Sequence, residues 1–325
     1  MVFGFLKRSR TTSGPVSGFG KIPGLGDFLR TPGPSDEAMA LEQWLVEAME
    51  TGEARDGAAF KEAFTRSTPH GFLWNGGAGL VAGVFVPSHD AVSRRFPVVV
   101  CAPLPNATLA PYPQLAPFVL HEFFHHAADA AARAARTRTQ AEFNAQVATA
   151  TAPSLDGVAG RASSWEEWSR TSRAADVFAT LFDGDAPRAT SWALTMIVES
   201  TTHYRGKDAP PLTLGLRAPL GRDVRTASAL WIDLVRHAAG WSAHVPSYFF
   251  PLASPRANAL VQLGATAPAT VVADLVSEDT SQSESVCDLT PADDATLPVY
   301  VPDAVTRAMS NQAATVADVL DALGR

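Results

Sequence analysis

Two uninterrupted apolar runs, Leu80 to Val86 and Phe96 to Leu104, constrain the fold more than any other feature of this sequence. Both are rich in Val and bounded by Gly or Pro. A strand with one wet face alternates apolar and polar residues, so a continuous run points to a strand buried on both faces. A sheet covered on both faces needs helices above and below it. Helical spacing is present over Leu115 to about Arg136, Ala174 to Phe182, Trp192 to Thr202 and Thr226 to Ala239. Pro32 to Ser35 breaks the chain before a helix from Asp36 through about Met49, with Leu41, Trp44, Leu45 and Met49 on one face. Val16 to Ile22, Leu212 to Leu216 and Tyr248 to Leu252 supply further strands. The expected class is α/β: a three-layer α/β/α sandwich with a central mixed sheet, plus a C-terminal helix. Strand order does not follow from the pattern.

With 325 residues, 46% hydrophobic and 18% charged, the chain can bury a sizeable core without disulfides. Only Cys101 and Cys287 are present, which leaves no disulfide framework and no CxxC metal site and fits a reducing cytoplasm. A formal net charge of −7 argues against nucleic acid as the main partner. The opening MVFGFLKRSR places apolar residues before basic ones, the reverse of a secretion signal, and is read as part of a tail over 1–14. No stretch reaches the roughly 18 apolar residues of a membrane span, so membrane insertion is not expected.

Charge divides the remainder. No Lys or Arg occurs between Arg256 and Arg307, and eight acidic residues fall in that window. Its centre is rich in Ser, Thr, Asp and Glu, the composition of a solvated linker. The expected layout is therefore an α/β body over 15–275, an acidic linker over 276–302 and a detachable C-terminal helix over 303–325, with Val305, Met309, Val316, Val319, Leu320 and Leu323 near helical spacing.

Three segments carry the outline of a chemical signature. Gly20-Lys21 follows a strand-like segment, but a phosphate loop needs Gly where Pro15 stands and Ser or Thr where Ile22 stands. Gly18 and Gly20 match the first two glycines of the dinucleotide fingerprint, yet Pro23 occupies the third position. His121-Glu122-Phe123-Phe124-His125 is a literal HExxH, which on a helix sets two imidazoles one turn apart beside a carboxylate base. The same residues also read as an amphipathic helix. Leu120, Phe123, Phe124, Ala127 and Ala131 line one face, while His121, Glu122, His125, His126, Asp129 and Arg133 line the other. The solvated face is the preferred reading. A zinc hydrolase using His121, Glu122 and His125 stays open as the alternative, as does an adaptor that binds through its acidic tail. Asp27 and Asp90 stand at turn-like positions, and the Arg94-Arg95 cluster can ion-pair with either; a contact of Asp27 with Arg94 or Arg95 would tie the N-terminal loop to the sheet edge.

Two segments together resemble the TagF family, also called ImpM, of type VI secretion-associated proteins. One holds Gly20, Lys21 and Pro23, then Gly26, Asp27 and Phe28, similar to the family's Gly-Lys-x-Pro and Gly-Asp-Phe. The other holds Ser88, Asp90, Arg94, Phe96 and Pro97, similar to its Pro-Ser-x-Asp, Gly-Arg and Phe-Pro. Ser93 stands where that pattern has Gly, which counts against a tight glycine turn there. The resemblance implies a cytoplasmic, non-enzymatic regulator without cofactor or metal. It implies a repressor that acts after translation by binding the forkhead-associated scaffold component of the secretion machine.

Overall fold

The computed structural model describes residues 13–77, 79–182, 185–208, 210–252, 257–277, 283–292 and 303–324. Nine strands among them form one sheet: β1 (Ser17–Gly20), β2 (Leu29–Arg30), β3 (His70–Asn75), β4 (Leu80–Val86), β5 (Val98–Leu104), β6 (Gly215–Pro219), β7 (Tyr248–Pro251), β8 (Asn258–Gln262) and β9 (Val286–Asp288). Their order is β2-β1-β5-β4-β3-β7-β8-β6-β9. Every neighbouring pair is antiparallel except β6 with β9, so the sheet is mixed. The sequence halves stay apart within it. Among the described residues, strands from 17–104 fill one side and strands from 215–288 the other, and the seam joins β3 to β7 through His70↔Pro251 to Leu73↔Tyr248.

The twelve described helices follow the chain: α1 (Asp36–Arg66), α2 (Asn106–Leu109), α3 (Ala116–Val119), α4 (His121–Ala134), α5 (Gln140–Val147) and α6 (Val158–Thr171). Then come α7 (Ala174–Ala179), α8 (Ala186–Thr201), α9 (Val224–Ala239), α10 (Val271–Val276), α11 (Asp303–Ser310) and α12 (Val316–Gly324). The two apolar runs are β4 and β5, and their alternate residues enter two separate cores. Leu80, Ala82, Val84, Val98, Val100 and Ala102 pack with the helices of one layer, including Phe124 of α4 and Trp231 of α9. Val81, Phe85, Val99 and Cys101 face α1 and α10 on the other. This is the expected three-layer sandwich, with period-2 geometry explaining why both faces read as apolar.

Helix α1 starts where expected: the Ser35 side chain accepts from the Ala38 amide at 3.2 Å, and Asp36 and Glu37 occupy the first turn. It runs past Met49 to Arg66, because Gly57 adopts φ 55° and redirects the last turns so that Phe60 and Phe64 return to the core. The linker reading over 276–302 needs correction where the chain is described. Val286–Asp288 forms β9, paired parallel with β6, with flanking bonds from the Gly215 amide to the Ser285 carbonyl at 2.8 Å and from the Leu289 amide to the Arg217 carbonyl at 2.9 Å. An edge strand needs one row of backbone partners more than it needs apolar side chains, which is how an acidic segment enters the sheet. Residues 278–282 and 293–302 of that linker, and 1–12 of the N-terminal tail, lie outside the described residues.

The single C-terminal helix expected over 303–325 is two. Asn311 turns the chain, and Thr315 and Asp318 cap the second helix: the Thr315 amide donates to Asp318 at 2.8 Å and the Asp318 amide to the Thr315 hydroxyl at 3.3 Å. Far from hanging free, α12 buries Val316, Val319, Leu320 and Leu323, and Arg205 holds the Leu323 carbonyl at 3.1 Å.

Candidate functional site

Both motif segments lie at one end of the sheet because β1 and β5 are neighbours. The pairs Ser17↔Cys101 to Phe19↔Val99 bring the loop leaving β1 beside the connection between β4 and β5. Gly20 sits at this junction with φ 141°, where a Cβ would lie 2.2 Å from the Pro97 carbonyl oxygen. Only glycine allows so close an approach. The Leu25 amide then bonds the Ile22 carbonyl at 3.2 Å, turning the Gly24-Leu25-Gly26 loop back toward residues 89–95.

Asp90 is the centre of the arrangement. Its side chain is fully buried, and it accepts from the Val92 amide at 3.0 Å, the Arg94 amide at 2.8 Å and Arg94 Nε at 2.6 Å. Lys21 Nζ lies 3.3 Å from the same carboxylate. Burial alone would raise the Asp90 pKa, but the Arg94 amide and guanidinium, Lys21 and the Val92 amide more than reverse this and bring it down to about 2. Arg94 also donates from Nη2 to the Gly26 carbonyl at 2.7 Å, and the Ala91 amide reaches the Leu25 carbonyl at 3.0 Å. The two segments that resemble one family thus form a single bonded unit.

Of the two carboxylates open to the arginine pair, Asp90 is the one taken, and the contact of Asp27 with Arg94 or Arg95 does not form. Arg94 holds Asp90, four residues away and buried, together with the neighbouring Gly26 carbonyl, while Asp27 is exposed and makes no ion pair with a described residue. Arg95 instead donates to the Thr65 hydroxyl at 2.9 Å, tying the loop to the end of α1. The tight turn also survives the missing glycine. Ser93 takes φ 67°, the one non-glycine residue with positive φ among those described, and its amide bonds the Asp90 carbonyl at 2.9 Å.

The other motif positions complete the frame. Phe28 stacks edge to face on Phe96 at 5.1 Å, with the Arg30 guanidinium 5.1 Å from its ring centre. The Ser88 carbonyl accepts from the Phe96 amide at 3.2 Å, Pro97 is buried, and Pro23 is exposed. Val92, 66% exposed, stands at the tip beside the exposed Arg94. Sequence reasoning found the frame residues but missed Thr65 and the display of Val92, since neither carries a local pattern.

The HExxH string lies on α4 as the amphipathic reading requires. Phe123, Phe124, Ala127, Ala130 and Ala131 are buried, while Glu122, His125, His126 and Asp129 are exposed. The His121 and His125 rings meet edge to face at 4.5 Å. No group of three or more His, Cys, Asp or Glu placed to hold one metal ion occurs among the described residues. The described helices also include none long and apolar enough to cross a membrane.

Residues 17–150 match the model of the TagF N-terminal domain, described as type VI secretion system-associated. The chain is also similar to a crystal structure of PA0076 from Pseudomonas aeruginosa PAO1, at 20% identity over 82% of this chain and 95% of that chain, with a TM-score of 0.48. No curated protein matches it.

Proposed function

From the premise that residues 17–150 are a TagF N-terminal domain of the type VI secretion-associated family, we propose that the chain is a non-enzymatic regulator of bacterial type VI secretion. It acts after translation, in the cytoplasm, as a repressor that binds the forkhead-associated scaffold component. The observation that supports a binding role over catalysis is the state of Asp90. A carboxylate with four donors and a pKa near 2 is a poor proton acceptor at neutral pH, and Lys21 and Arg94 are held by the same network. The polar motif residues hold two loops rigid and present a surface, which is the work of a recognition module. A pull-down from the native cell with the full chain as bait should recover the scaffold protein, and deletion of the gene should raise secretion. Absence of the scaffold together with unchanged secretion would refute the proposal.

A further inference from the structure

The start of α4, the start of α9 and the end of β7 enclose a cavity of about 260 Å³. Its floor is apolar. Phe124 and Phe250 meet there edge to face at 5.1 Å, beside Leu252. Its rim carries His121 and His125 on one side and the two guanidinium groups of Arg222 and Arg225 on the other. The one carboxylate among the described lining residues, Asp223, is engaged by its own helix, accepting from the Thr226 amide at 3.3 Å and the Thr226 hydroxyl at 2.7 Å. The first turn of α9 adds a partial positive charge at the same rim. Burial first, then His125 and Arg225, push the His121 pKa below its ordinary value against the opposing pull of Glu122 and Asp223, so this imidazole offers a neutral N–H to a ligand.

Two guanidinium groups beside the histidine pair repel a divalent cation, so the HExxH string is poorly placed to hold zinc even though its two imidazoles adjoin. The same charges attract an anion, and the aromatic floor accepts an apolar group. We propose that this cavity binds an amphiphilic anion, an apolar group carrying a phosphate or carboxylate, with the anion on Arg222, Arg225 and the histidine pair and the apolar part on Phe124 and Phe250. The site is separate from the bonded loops of the TagF motif, so it stands or falls independently of the regulatory role.

Phenyl phosphate titrated into the full chain, followed by calorimetry and by NMR of the histidine rings and arginine Nε groups, tests this. Saturable shifts at His121, His125, Arg222 and Arg225 are expected, with inorganic phosphate binding about tenfold more weakly for want of the apolar contact. Benzoate in place of phenyl phosphate separates carboxylate from phosphate, and saturable binding of either supports the proposal. Arg222→Gln and Arg225→Gln, both at exposed positions and checked for unchanged circular dichroism, should each weaken binding about fivefold to tenfold. No saturable shift with either ligand, or binding that the double variant leaves unchanged, would overturn the proposal. Equal affinity for inorganic phosphate would overturn the role of the floor, and stoichiometric zinc lost in His121→Gln would overturn the whole.

Discussion

Replacing Asp90 by Asn tests the loop frame most directly, because the change keeps shape and removes charge. The Asn carbonyl can still accept from the Val92 and Arg94 amides, now at 3.0 and 2.8 Å. What disappears is the second oxygen, which Arg94 Nε meets at 2.6 Å and Lys21 Nζ at 3.3 Å. A hydrogen bond to a charged group is worth about 1.5–3 kcal/mol when neither partner is well hydrated. Arg94 is 61% exposed and regains water when released, so its bond is discounted; Lys21 is only 17% exposed and is left nearly dry. A loss of about 3 kcal/mol follows, read as a lower urea midpoint at unchanged slope. The pH dependence has a definite sign. A carboxyl whose folded pKa lies below its unfolded value stabilises fully above the unfolded value and loses that contribution as the pH falls. The gap between wild type and Asp90→Asn should therefore be full above about pH 4, near the ordinary carboxylate value, and narrow toward about pH 2, the folded value. A loss below about 1 kcal/mol at neutral pH, against the sum drawn from the charged bonds, or a gap that ignores pH, would refute the assignment of Asp90 as the centre of the frame.

Ser93→Gly relieves a left-handed residue, worth about 1–2 kcal/mol, against about 0.5–1 kcal/mol of added chain entropy. A small gain in thermal unfolding temperature is expected, and Ser93→Val should lower it clearly. Gly20→Ala drives a Cβ into the Pro97 carbonyl and Val98 backbone and should cost about 3 kcal/mol or more by urea unfolding. Leu323→Ala removes a buried contact of α12 and should cost about 2–4 kcal/mol, with faster hydrogen exchange confined first to the last helix. His70 is pushed down to about 4, mainly by burial and against a hydrogen bond to the Thr68 backbone. Its neutral form is the folded form, so stability falls as pH drops from about 6.5, the unfolded value, toward about 4, and His70→Phe should flatten that part of the curve.

The legible parts of the fold were those whose burial leaves a periodic trace. The β4 and β5 runs and the Trp231 helix were readable because both strand faces, or one helix face, are apolar. Strand β3, with His70, Gly71 and Asn75 among its six residues, carries no such trace, since backbone pairing with two neighbours places it. Strand β9 was hidden for the same reason. At the site, the motif residues were readable as chemistry. Their partners were not: whether Arg94 meets Asp27 or Asp90 depends on which carboxylate the fold buries, and that is a tertiary fact.

The seam between β3 and β7 bears on how this chain can be cut. Residues 17–150 own five strands at one side of the sheet, but β3 is completed only by Tyr248–Pro251 from the far half. A fragment ending at 150 would present His70 to Leu73 as an open edge, unpaired amides and carbonyls beside exposed aromatic rings. Such an edge recruits any extended chain, including another copy of itself. Binding work on the matched segment in isolation would measure that stickiness along with recognition, so the recognition unit and the folding unit of this protein have different boundaries.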